Sequence, residues 1–172
     1  MEEIMKLMDE IEYGWVDKKG EKHTKLAGFA DNYILQTPEE LKKNKLGVCW
    51  DQVELERYYF KEKGIDIKSY FIVYYDGGKC PCHTFISFED NNKFYWFEHA
   101  WERHKGIREF NSEKELLEEV TKCFIELELK NGYDDNYLFI YNYSKPDKKL
   151  DTLEFYHHCE KGILLKGERK DI

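Results

Sequence analysis

The stretch His83-Thr84-Phe85-Ile86-Ser87-Phe88-Glu89-Asp90-Asn91-Asn92-Lys93-Phe94-Tyr95-Trp96-Phe97-Glu98 decides the fold. Two runs rich in aromatic and β-branched residues flank Asp90-Asn91-Asn92, whose side chains tolerate the backbone of a tight turn. The segment therefore predicts a β-hairpin, with strands over 83–89 and 93–101. Register then decides which side chains meet. A turn centred between Asp90 and Asn91 sets His83 directly opposite Glu98. A centre one residue later leaves Glu98 diagonal to His83 on the same face. A three-residue loop instead sets His99 opposite His83 and turns Glu98 to the other side.

Working outward, Ile67 to Tyr75 is β-branched and aromatic on both faces, as a central buried strand would be. Before it, residues 48–63 read as a helix that Gly64 stops. Thr37-Pro38-Glu39-Glu40 predicts a short helix, with Thr37 as N-cap, Pro38 at the first position and Glu40 closing a capping box. Ile4, Leu7, Met8 and Ile11 lie at helical spacing and predict an opening amphipathic helix. Downstream, Ser112 and Glu115 start a long helix whose stripe is Leu116, Val120, Cys123, Phe124 and Leu127. Residues 136–143 predict a strand, and Asp151 with Glu154 starts a last helix through Glu160. The polar tail from Lys166 is expected to fray. This order predicts an α+β fold, helices packed on an antiparallel sheet, with residues 1–172 as a single domain.

The net charge of −8 gives the chain no electrostatic reason to seek phosphate backbones, so nucleic acid is not an expected partner. No apolar run reaches the ~20 residues a membrane helix needs, so no membrane partner is expected either. The first residues lack the apolar core of a signal peptide. Five cysteines, an odd count, suit a reducing compartment better than a disulfide framework, and the expected location is cytoplasmic.

Three residues suggest chemistry. Cys49 stands at a helix start, where the dipole favours a thiolate and unpaired N–H groups can receive an oxyanion. His83 is the natural base partner of a thiol. Glu98 can fix the imidazole tautomer and stabilise the imidazolium. Side-chain amides that could complete an oxyanion site are Gln52, one turn into the Cys49 helix, then Asn32 and Gln36. Trp50, Trp96 and Trp101 either wall a cleft or pack in the core. A rival reading assigns Cys80, Cys82, His157 and Cys159 to zinc. The Cys-Pro-Cys spacing is tighter than zinc ribbons use, and no metal is predicted.

The pattern resembles the transglutaminase-like (papain-like) superfamily. Gly47-Val48-Cys49-Trp50-Asp51 matches its nucleophile motif, and Gly64-Ile65-Asp66-Ile67 its strand entry. His83-Thr84-Phe85 matches the His-led strand, and Trp96-Phe97-Glu98 the acid on the neighbouring strand. Glu stands where Asp is usual, Thr-Phe where Ala-Trp is common, and His99-Ala100-Trp101 where Pro-Thr follows the acid. The resemblance implies a Cys-His-Glu triad that works through a thioester on a peptide or small amide, with no cofactor. It also allows an inactive scaffold that serves as a binding module.

Overall fold

The computed structural model describes residues 1–168. The chain opens with α1 (Glu2–Met8), which buries Ile4, Met5 and Met8. Short extended pieces follow: β1 (Glu12–Tyr13), β2 (Trp15–Val16) and β3 (Lys22–His23). Next come α2 (Phe29–Asn32), α3 (Pro38–Asn44), β4 (Leu46–Gly47) and α4 (Cys49–Glu62). The remaining elements are β5 (Ile67–Tyr74), β6 (Cys82–Asp90), β7 (Lys93–Glu98), β8 (Gly106–Phe110), α5 (Glu113–Glu128), β9 (Leu138–Tyr143), α6 (Thr152–Glu160) and β10 (Ile163–Lys166). Among the described residues no helix is long and apolar enough to cross a membrane.

The longer strands form one six-stranded antiparallel sheet in the order β10-β9-β5-β6-β7-β8. The α+β class follows. Central β5 sends Phe71 and Val73 to one face, into an apolar cluster with α1, α4 and α6. It sends Tyr70 and Ile72 to the other, against Leu116, Val120 and Phe124 of α5. Both faces of β5 are thus covered, which is why its sequence shows no polar alternation.

The hairpin turns at Asn91-Asn92, both with positive φ, and pairs Asp90 with Lys93 and Ile86 with Phe97. This is the later of the two same-face registers, so Glu98 lies diagonal to His83 and not opposite it. The second strand also stops at Glu98, short of the expected Trp101. Edge strands β8 and β10 carry no sequence expectation. Lys166, expected to begin a frayed tail, closes β10, while residues 169–172 lie outside the described residues.

The caps divide. Thr37 accepts from the Glu40 N–H, but the Glu40 carboxylate reaches out to Lys149 and leaves the box half made. Ser112 accepts from the Glu115 N–H, while Glu115 turns back one residue further, to the Asn111 N–H. Asp151 and Glu154 make the full reciprocal pair.

Candidate active site

The thiol is positioned by a glycine and a carboxylate. β1 pairs in parallel with β4, Tyr13 beside Gly47, and the chain turns directly into α4. A Cβ on Gly47 would stand 2.6 Å from Leu41 Cδ1 and 2.9 Å from Asp51 Cβ, so only glycine fits there. Val48, at the N-cap, has no side-chain acceptor of its own. Asp51 caps instead: its Oδ2 accepts from the Val48 N–H (3.0 Å), and its Oδ1 from the Gln36 N–H (2.9 Å) and the Tyr33 hydroxyl (2.8 Å). Burial pushes the Asp51 carboxyl up to about 7, against the pull of those three donors. The Cys49 N–H, at the first helical position, has no intrahelical acceptor.

His83, Glu98 and Cys49 come together at one end of the sheet. The His83 ring and the Glu98 carboxyl are each 2% exposed, and Nε2 lies 2.6 Å from Glu98 Oε1. The other carboxylate oxygen accepts the Trp101 N–H at 3.1 Å. With Nε2 on the acid, Nδ1 is the nitrogen left free, and the Cys49 thiol lies close enough to His83 to raise it. Burial alone would push His83 down. The Glu98 charge and the bonds to Cys49 and Glu98 outweigh it, and the ring is raised to about 9.

The two partners reach His83 from different layers. By strand alternation His83 and Glu98 face the α5 side of the sheet, with Phe85 and Trp96. Trp101 stacks on the His83 ring at 3.7 Å and 7° and continues to Phe124 of α5. Cys49 belongs to the α4 side. The β6–β7 ladder stops at Ile86–Phe97, so residues 82–85 of β6 lack a β7 partner. The start of α4 meets the imidazole at that end of the sheet.

Over the thiol lies a cleft of about 490 Å³. Tyr13, Leu26 and Phe29 line it on one side and Cys80 and Cys82 on the other. A larger hollow of about 590 Å³, between Leu35, Pro38 and the Lys145–Lys149 loop, has no cysteine or histidine in its lining.

The remaining predicted residues fall as follows. Trp50 lines the cleft, but its ring is 3% exposed and stacks on Phe155 at 4.1 Å, so core packing is its main part. Gln52 is spent elsewhere: its amide N–H donates to the Gly47 carbonyl (2.9 Å) and its Oε1 pairs with His99 Nδ1 (2.6 Å). Asn32 is exposed and bonds the Gly28 carbonyl within its own short helix. Gln36 donates to the Leu46 carbonyl.

The zinc set does not assemble. Cys82 takes a hydrogen bond from the Tyr156 hydroxyl, His158 bonds the Ser144 carbonyl, and His157 is exposed. Among the described residues the one group of three or more close metal-ligating side chains is Asp17, Glu21 and His23. There Asp17 Oδ2 is already paired with His23 Nε2, and its Oδ1 takes two backbone N–H groups.

Sequence reading missed Asp9, whose carboxylate holds His99 Nε2 at 3.1 Å, along with Tyr13 and Tyr156 at the cleft. Each is brought in from a distant segment, and no local signal marks it. No protein-family model matches the chain, and no curated protein matches it.

Proposed function

We propose that the chain is a thiol-dependent acyl hydrolase or acyltransferase on a transglutaminase-like (papain-like) scaffold. The observation that supports it is a buried imidazole held by a carboxylate on Nε2, with the helix-start thiol of Cys49 beside the ring. That arrangement suits a thiolate–imidazolium pair. Cys49 Sγ adds to an acyl carbon, His83 delivers its proton to the departing amine, and a thioester remains. Water or an amine then resolves the thioester. Glu98 keeps the tautomer that points Nδ1 at sulfur. Peptides and small amides are the substrate classes the open, largely apolar cleft would admit.

The test is acylation by 4-nitrophenyl acetate, followed as a burst of nitrophenolate, with the acetyl group mapped by mass spectrometry. It should land on Cys49, and Cys49→Ala or His83→Ala should abolish the burst with the fold intact by circular dichroism. Turnover with and without dansylcadaverine separates water from amine as acceptor. No burst, or acetyl spread evenly over the cysteines, would leave a binding module as the better account.

A further inference from the structure

Thiolate attack on a carbonyl puts negative charge on oxygen, and catalysis is largest where fixed donors already face that position. The Cys49 N–H can supply one donor. Most other polar donors near the thiol are already engaged. Gln52 donates to the Gly47 carbonyl. The Trp50 indole faces the Cys82 sulfur and lowers that thiol against the effect of burial. The Tyr156 hydroxyl donates to the Cys80 carbonyl at 2.8 Å, with Cys82 Sγ 3.4 Å away.

Tyr13 differs from all of these. The β1–β4 pairing sets it beside Gly47, two residues before the nucleophile, and its side chain lines the cleft over Cys49. Half of its surface is exposed, and the part that lines the cleft carries a phenol held protonated by burial and by the nearby Cys49 sulfur. Among the described residues that hydroxyl has no hydrogen-bond partner, so it can donate to an incoming group. Another donor at the cleft is the Lys79 ammonium, on the exposed loop after Gly77 and Gly78.

We infer that the Tyr13 hydroxyl is the second oxyanion donor of the site, acting with the Cys49 N–H. The inference rests on the acyl chemistry proposed above. As the S–C bond forms, the carbonyl π pair moves onto oxygen, and both donors hydrogen-bond the alkoxide. When the C=O bond re-forms, the C–N bond breaks and the amine leaves with the proton from His83. Tyr13 keeps its own proton throughout.

Two reagents separate this role from others. Iodoacetamide alkylates sulfur at a saturated carbon with no oxyanion, whereas 4-nitrophenyl acetate acylates through a tetrahedral one. Tyr13→Phe should slow acylation of Cys49 by roughly 10²–10³-fold. Its alkylation should stay within about twofold of wild type, since no donor is needed in that step. The unchanged alkylation rate also reports that the cleft is intact. Equal losses with both reagents, or no loss with either, would overturn the inference while leaving wild-type acylation standing. A loss in Lys79→Met with Tyr13→Phe unaffected would transfer the role to Lys79 and overturn it too. A wild-type protein that does not acylate at Cys49 would sink the acyl chemistry itself, and the Tyr13 role with it.

Discussion

His83 Nε2 and Glu98 Oε1 meet at 2.6 Å across a diagonal of the β6–β7 hairpin, not across a directly opposed pair. Diagonal neighbours stand ~7–8 Å apart at the backbone against ~4.5–5.5 Å for opposed ones. The extra methylene of glutamate spans that difference. Glu98→Asp should therefore lose the contact and behave no better than Glu98→Gln. Both should slow Cys49 acylation at pH 7.5 by roughly 10²–10⁴-fold, the range of acid–base assistance. An aspartate variant with the wild-type rate would show that reach is not what the glutamate supplies.

The His83 shift has a direction in pH. Its folded-state value is raised from 6.5 to about 9, so folding favours the protonated ring. The stabilisation is fully present below pH 6.5 and is lost as pH rises through about 9. Urea denaturation of wild type and His83→Gln across that window should give curves that converge toward the alkaline end. A gap that widens with pH would contradict the sign.

Asp51 organises the start of α4 through three buried donors, from Tyr33, Gln36 and Val48. Asp51→Ala orphans all three. At ~1–3 kcal/mol for each unsatisfied group, the loss should be about 3 kcal/mol or more in urea denaturation. A loss under about 1 kcal/mol would mean that water replaces the carboxylate at the helix start.

The five thiols are free, and they differ in surroundings. Burial pushes Cys82 and Cys123 up to about 11 and Cys159 well above the ordinary range, while Cys49 has an imidazole against it. Limiting iodoacetamide at pH 7 should label Cys49 first, read by peptide mass mapping. His83→Ala should erase that lead. Labelling of Cys82 ahead of Cys49 would count against the pairing of thiol and ring.

Much of this arrangement was legible because its signals are local. Gly47-Val48-Cys49 before an apolar helix, and aromatic runs around Asp90-Asn91-Asn92, each depend on neighbouring residues. The exact register was not legible, because two positive-φ asparagines move the turn centre by one position and sequence leaves both centres open. Strands β8 and β10 were missed because they are short edges of mixed exposure, with little alternation to read. Gln52 looked available because it stands one helical turn beyond Cys49. Its amide is consumed by Gly47 and His99, the latter a contact 47 positions away. Tyr13 was invisible for the converse reason: only the β1–β4 ladder carries it to the cleft.

That ladder has a practical corollary. Asp9, which holds His99, and Tyr13, which lines the cleft, both lie on the short stretch between α1 and β2, so one connecting segment walls the end of the sheet where Cys49 and His83 stand. That stretch continues from α1, whose Ile4, Met5 and Met8 are buried in the core, so a change that loosens α1 disturbs the cleft wall and the packing of α4 together.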